Sequence, residues 1–151
     1  MVVHMTGILT LDTIQLNAVV ESKEEAISKA GSLLVKAGRV RPDYVKGMLE
    51  REKTLTTYVG NGISIPHGQF GDLALVIRSG ISVLQIPHGV QWDENDKAYL
   101  VVGIASQGED HIQILANLAR VLEDTDTARL LAETDDPELI LNYLNQLVEE
   151  D

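Results

Sequence analysis

The chain has 151 residues, a length that suits one domain with a single hydrophobic core. Its formal net charge of −11 argues against a nucleic-acid binder or a protein of anionic membrane surfaces, because both require clustered Lys and Arg. Since the chain has no cysteine, disulfides, thiolate catalysis and thiol-ligated metals are excluded.

Neither a membrane span nor a secretion signal is evident. No apolar run approaches the roughly 18 residues that a spanning helix needs. The first residues, MVVHMTGILTLD, lack the basic start and long apolar centre of a signal peptide. No Pro/Ser/Gly-rich linker interrupts the sequence. We therefore expect one soluble cytoplasmic domain over residues 1–151.

Two helices are predicted in the first third of the chain. The first follows a capping-box pattern at Ser22 and Glu25 and stops at Gly38. Its apolar stripe is Ala26, Ile27, Ala30, Leu33, Leu34 and Ala37. The second helix is predicted to begin near Pro42. Its inward face is Val45, Met48 and Leu49.

The hydrophobic period then changes to that of strands. TTYVGNGISIPHG predicts an extended segment broken by a tight turn around Asn61. LALVIRSG, ISVLQIP and AYLVVGIAS are short β-rich runs bounded by turn residues. The last of these, Tyr99 to Ala105, is nearly all apolar, which predicts a central strand covered on both faces.

Three helices are predicted after that strand. DHIQILANLARVLED has an inward face of Ile112, Leu115, Leu118, Ala119 and Leu122. TARLLAE is a short helix, and DPELILNYLNQLVEE has Asp136 as cap and Pro137 at its first position. Helices around a few strands in one layer make an α/β fold whose strand order stays open.

One tetrapeptide occurs twice, as Ile65-Pro66-His67-Gly68 and Ile86-Pro87-His88-Gly89. The proline favours extended backbone before it, and the glycine permits a sharp turn that leaves the imidazole accessible. Each copy thus presents a histidine at the edge of a strand. Both His67 and His88 are candidates for chemistry on these grounds.

Two further residues suit an anion site. His111 stands at the start of the helix after the central strand, where unpaired N–H groups favour negative charge. Arg51, at the end of the second helix, carries the guanidinium that binds phosphate best. The alternatives are a plain polar helix start for His111 and solvated pairing with Glu50 or Glu52 for Arg51.

Hydrolytic and metal-dependent alternatives fit the spacing less well. Three histidines with Glu109 and Asp110 could bind zinc, but no His-x-x-x-His or HExxH spacing is present. A serine hydrolase would need a G-x-S-x-G turn, which is also missing. We predict no metal and no cofactor.

Two blocks, DYVKGMLEREKTLTTYVGNGISIPHG and EDHIQIL, resemble the EIIA domains of the bacterial phosphoenolpyruvate-dependent sugar phosphotransferase system, mannitol/fructose class. The resemblance covers residues 8 to 148. It implies an α/β fold with a mixed sheet of about five strands flanked by helices. The sugar, mannitol or fructose, stays open.

The resemblance also implies roles for particular residues. His67 would accept a phosphoryl group on Nε2, His111 would lie beside it, and Arg51 would neutralise the phosphate. The donor would be phospho-HPr and the acceptor the EIIB domain of a sugar permease. His88 stands where relatives usually have glutamate, so it is expected to be incidental, and Gln69 stands where threonine is common.

A regulatory EIIA-like phosphoprotein is the alternative within the same family. Such a module would be phosphorylated on His67 and signal to other proteins instead of feeding a permease. The block MLEREK favours the transport branch.

Overall fold

The computed structural model describes residues 7–107 and 110–146, without the side chains of 110–113, 117, 121, 145 and 146. Within those residues, no helix has both the length and the apolar character needed to cross a membrane. The strands are β1 (Ile14–Gln15), β2 (Tyr58–Gly60), β3 (Ile63–Ser64), β4 (Gly80–Gln91) and β5 (Lys97–Ala105). They form one sheet in the order β1-β4-β5-β3-β2.

The sheet is mixed, with β5 at its centre. β5 pairs antiparallel with β4 and parallel with β3, while β1 runs parallel to β4 and β2 antiparallel to β3. Because β5 is covered on both faces, its residues are almost all buried. The prediction of a central strand at Tyr99 to Ala105 is confirmed.

Helices cover both faces of the sheet and make two cores. One face carries α1 (Lys23–Lys36) and α2 (Tyr44–Thr54), which pack with the strands around Leu84 and Val101. The other carries α3 (Asp110–Leu122), α4 (Thr125–Glu133) and α5 (Pro137–Gln146), which pack around Val83 and Val102. Side chains of neighbouring positions on β4 thus point into different cores.

The first two helices differ slightly from their predictions. Ser22 caps α1 by accepting the Glu25 N–H, but the Glu25 carboxylate accepts from Glu21 N–H, one residue before the predicted donor. Gly38, at φ +75°, ends the helix as expected. α2 begins at Tyr44 instead of Pro42, because the prolyl and aspartyl residues before it form a turn.

The run LALVIRSG is not a strand, which corrects that prediction. Residues Phe70–Leu75 form a 3₁₀ helix, in which the Asp72 side chain accepts the Gln69 N–H and the Asp72 N–H donates to Gln69 O. These local bonds compete with strand pairing. The apolar side chains of Leu73 and Ile77 are exposed, so burial adds little in favour of a strand.

β4 is longer than the run that predicted it. It continues through the second tetrapeptide to Gln91, with a shift of register between Gln85 and Val90. Pro87 has no N–H for a ladder bond, and Gly89 has φ +76°, so a bulge at this point satisfies both residues. His88 therefore lies inside a long strand and not at the end of one, contrary to the prediction.

The remaining helices are close to prediction. Among the described side chains of α3, the buried ones are Ile114, Leu118 and Leu122, whereas Ala119 is exposed and was wrongly placed inward. The side chain of Ile112 lies outside the described residues. α4 begins two residues before the predicted run TARLLAE and ends with it at Glu133. Asp136 caps α5 through the Glu138 N–H, with Pro137 at the first position.

Candidate functional site

His67 lies where the chain leaves the sheet beside the carboxyl end of β5. Three residues after β3, it forms a parallel bridge with Ile104, and the Ile104 N–H donates to Pro66 O at 2.9 Å. Strand pairing between β3 and β5 thereby extends to the histidine. Its imidazole is half-buried and stands at the edge where α/β folds place their ligands.

The tautomer of His67 follows from one contact. Nδ1 lies 2.9 Å from the Gly68 carbonyl oxygen. A carbonyl only accepts, so the proton of the neutral ring is on Nδ1 and the lone pair is on Nε2. In this tautomer, Nε2 is the ring nitrogen that could act as a nucleophile.

Tyr44, at the start of α2, links the backbone that follows His67 to β5. Its hydroxyl accepts the Gly68 N–H at 2.9 Å and donates to Ile104 O at 2.9 Å. The side chain is buried, and this burial raises the pKa of Tyr44 to about 12. The hydroxyl is therefore neutral at physiological pH, and its proton is available for the hydrogen bond to Ile104 O.

Gly68 is required by this packing. A Cβ atom at residue 68 would stand 2.6 Å from a ring carbon of Tyr44. The glycine of the tetrapeptide therefore allows the tyrosine ring to approach, in addition to turning the chain. Tyr44 was not predicted as part of the site from the sequence. An aromatic residue at the start of an amphipathic helix is usually a core residue, and the partners of its hydroxyl are distant in the chain.

His111 is the second residue of α3, which begins just after β5 ends. The structure thus supports the predicted position at a helix start following the central strand. Its side chain lies outside the described residues, as do Glu109 and the side chain of Asp110. The pairing of His111 with His67 remains a prediction.

Arg51 lies about two turns along α2 from Tyr44, where its Nη1 donates to Leu55 O at 2.5 Å. The two carboxylates beside it have other partners. Glu50 pairs with Lys53 at 2.8 Å, and Glu52 is turned inward. Solvated pairing with these neighbours therefore does not account for Arg51, and its predicted role toward phosphate stays open.

Glu52 anchors the end of α2 to the sheet. Its carboxylate accepts from Thr57 Oγ1 at 2.5 Å and from Trp92 Nε1 at 2.9 Å, and both partners are buried. The backbone N–H of Thr57 donates to it as well. This network fixes the segment that leads from Arg51 into β2.

The second tetrapeptide lies far from the first. His88 is exposed and sits in the part of β4 that pairs with the start of β5, near Ala98. His67 pairs with Ile104, about six residues further along β5, which corresponds to roughly 20 Å. The fold thus separates His88 from the His67 site.

Among the described side chains, no three of the His, Asp and Glu residues come together as a metal site. His111, Glu109 and Asp110, which the zinc alternative requires, are outside that set.

The chain matches the family model described as the phosphoenolpyruvate-dependent sugar phosphotransferase system, EIIA 2, over residues 7–147. It is 42% identical over 134 residues to the mannitol-specific phosphotransferase enzyme IIA component of Bacillus subtilis, covering 88% of this chain and 94% of that protein. It is 44% identical over 128 residues to a multiphosphoryl transfer protein of Haemophilus influenzae, covering 85% of this chain. The chain spans only 26% of that longer relative.

The fold has a close match among solved structures. The structure of the complex of enzyme IIA-mannitol and phosphorylated enzyme IIB-mannitol from Escherichia coli superposes with a TM-score of 0.84 at 38% identity. The match covers 90% of this chain and 97% of that one. The mixed five-stranded sheet flanked by helices is thereby confirmed. The chain belongs to the EIIA type 2 family of the phosphoenolpyruvate-dependent sugar phosphotransferase system.

Proposed function

We propose that this protein is a phosphoryl carrier of the sugar phosphotransferase system. It accepts a phosphoryl group from phospho-HPr on Nε2 of His67 and passes it to the EIIB domain of a mannitol- or fructose-type permease. The reaction is a phosphotransfer through a phosphohistidine that needs no cofactor. Residues 1–151 act as one EIIA domain, at work in the cytoplasm.

The observation that carries the proposal is the bond from His67 Nδ1 to the Gly68 carbonyl. It holds the neutral ring in the tautomer whose Nε2 lone pair can attack phosphorus. Imidazole nitrogen suits a reversible relay because it is nucleophilic near pH 7 and leaves readily once the phosphoryl group moves on.

The transfer step needs no reactant besides the donor and this protein. The Nε2 lone pair of His67 forms a new N–P bond while the donor's N–P bond breaks, and that electron pair returns to the donor imidazole. The transition state is loose, with negative charge on the equatorial oxygens, so the protein mainly positions and stabilises it. Arg51 and the start of α3 with His111 supply the positive charge.

The acceptor follows from the solved relative. The Escherichia coli enzyme IIA-mannitol is seen with phosphorylated enzyme IIB-mannitol. At 38% identity, an EIIB domain is the acceptor class that this likeness supports for the present chain. The donor rests on the family resemblance, and mannitol is favoured as the sugar by the name of the Bacillus relative.

The test is incubation with phosphoenolpyruvate, enzyme I and HPr, followed by intact mass and an acid-lability assay. We expect one acid-labile phosphoryl group on the wild type and none on His67→Ala. His88→Ala, which removes the histidine of the other tetrapeptide, is the matched control and should be phosphorylated normally. An unmodified wild type, or a label that survives in His67→Ala, would contradict the proposal.

Transfer from this chain to EIIB, the second half-reaction, distinguishes the transport carrier from the regulatory alternative. Phosphorylated protein is mixed with a purified mannitol EIIB domain, and loss of the label from this chain is followed in time. A transport carrier transfers the group to EIIB, whereas a protein that signals to other partners retains it.

A further inference from the structure

A single peptide unit joins the His67 ring to a carboxylate. The unit is the one between Gly68 and Gln69. Its carbonyl oxygen is the 2.9 Å partner of His67 Nδ1, and its N–H donates to Asp72 Oδ2 at 2.8 Å. The chain of contacts therefore runs from imidazole through one peptide to carboxylate.

The Asp72 carboxylate is seated against α2. A Cβ atom at Gly47 would overlap both Asp72 oxygens, so the absence of a side chain there leaves the room that the carboxylate occupies. The Asp72 N–H also donates to Gln69 O, which closes the turn around the same peptide. Asp72 is half-buried, and its position is set by backbone on two sides.

The Asp72 carboxylate changes the charge distribution of the Gly68–Gln69 peptide. A hydrogen bond to an ionised acceptor is stronger than a neutral one and polarises the donor group. Polarisation of the Gly68–Gln69 unit moves electron density toward its carbonyl oxygen, which becomes a better acceptor for the Nδ1 proton. The negative charge of Asp72 is thus felt at the imidazole.

We propose that Asp72 is a positioning residue for His67 that acts through this peptide. It holds the Nδ1–H tautomer and stabilises the positive charge that the ring acquires as Nε2 attacks phosphorus. The Nδ1 proton stays on the ring throughout, so Asp72 takes part in no proton transfer. The arrangement does what an aspartate bound directly to a catalytic histidine does, with one peptide between them. The kinetic part of this inference rests on the proposed function.

Asp72→Asn and Asp72→Ala separate the charge from the hydrogen bond. The amide oxygen of asparagine still accepts the Gln69 N–H but carries no charge, and alanine removes both. Asp43→Asn is the matched control, because it makes the same carboxylate-to-amide change at the exposed N-cap of α2, where the side chain makes no capping bond.

The first readout is the ¹⁵N NMR spectrum of the His67 ring in the unphosphorylated protein. We expect a pyrrole-type Nδ1 and a pyridine-type Nε2 in the wild type and in Asp43→Asn. Asp72→Ala should show a mixture of the two tautomers. A residue that only caps the 3₁₀ helix would leave this spectrum unchanged.

The second readout is the initial rate of phosphorylation by phospho-HPr. Loss of an orienting partner of this kind costs about 10-fold, and we expect Asp72→Ala to lose about that factor in kcat with little change in KM for the donor. Asp72→Asn should fall between Asp72→Ala and the wild type. Gly47→Ala, which displaces the carboxylate without altering it, should shift the tautomer in the same direction.

The outcomes distinguish this inference from the proposed function. If the wild type is phosphorylated on His67 while Asp72→Ala keeps both the tautomer and the rate, the inference is overturned and the function stands. If the wild type accepts no phosphoryl group, the function fails, and the tautomer spectra still decide the role of Asp72. Thermal unfolding of each variant checks that the folded protein is measured.

Discussion

The Tyr44 hydroxyl and the Gly68 N–H are hydrogen-bonded across 24 residues of sequence at 2.9 Å. Because the same hydroxyl donates to Ile104 O, it ties the start of α2 to β5 and to the loop that carries His67. A buried hydroxyl with two backbone partners is costly to remove, since each partner is left unsatisfied.

Tyr44→Phe tests this relationship. The ring still fills its place, but Gly68 N–H and Ile104 O lose their partner, and we expect a loss of about 1–3 kcal/mol in the free energy of unfolding. The less constrained His67 should accept phosphate more slowly. Urea unfolding and the phosphorylation rate measure the two effects. Tyr143→Phe, the same change in the partly buried tyrosine of α5, is the control, and an equal loss there would argue against a special role for Tyr44.

The stability of the protein should fall at alkaline pH through Tyr44. Its pKa is raised by burial from the ordinary 10.0 to about 12, so the folded state keeps the proton longer than the unfolded state. The stability that the protonated Tyr44 contributes to the folded state is fully present below pH 10. It is lost as pH rises toward 12, and the free energy of unfolding falls by about 2–3 kcal/mol in total. Urea unfolding between pH 9 and 12 measures this slope. Tyr44→Phe should show a shallower decline, and an identical slope would contradict the assignment.

Arg51 is expected to stabilise the transferring phosphoryl group. Arg51→Ala removes the charge and, by analogy with arginine fingers, should slow transfer by about 10³-fold. Arg51→Lys keeps the charge without the planar fork and should recover only part of the rate. Rapid-quench measurement of both half-reactions gives the factors. A normal transfer rate in Arg51→Ala would show that Arg51 does not stabilise the phosphoryl group.

Asn61 is expected to hold the end of α3. At φ +54°, its side-chain Nδ2 donates to Leu122 O at 3.0 Å and to Glu123 O at 3.1 Å. Asn61→Gly keeps the backbone conformation and loses the cap, whereas Asn61→Asp directs a carboxylate at two carbonyl oxygens.

We therefore expect Asn61→Asp to be less stable than Asn61→Gly, with the difference on the order of 1 kcal/mol. Hydrogen exchange should show the lost protection in the last turn of α3. Equal stability of the two variants would mean that the cap contributes nothing.

Much of the fold could be predicted from local patterns. Ser22, Gly38 and Asp136 mark helix ends through bonds to their own neighbours, and the sequence contains everything that those bonds need. The apolar run Tyr99–Ala105 identified the central strand because a strand buried on both faces has apolar residues at nearly every position.

The errors have two different causes. LALVIRSG has the composition of a strand, yet Asp72 bonds the backbone of Gln69 and the first three residues of the run belong to the 3₁₀ helix Phe70–Leu75. Ala119 has helical spacing with the buried residues of α3 but falls at the margin of their face. The position of Ala119 depended on what the rest of the molecule placed opposite α3, whereas the LALVIRSG prediction failed because of local bonds around Asp72.

The sequence by itself determined most of the helices and strands, the family and the pair of tetrapeptides. It could not distinguish the surroundings of the two histidines, because Ile-Pro-His-Gly has the same local chemistry in both places. Tertiary structure decided that difference: it brought Tyr44 and Ile104 around the first copy and placed the second in an exposed bulge of β4. Contacts between residues distant in the chain arise only when helices and strands pack, so no local pattern contains them.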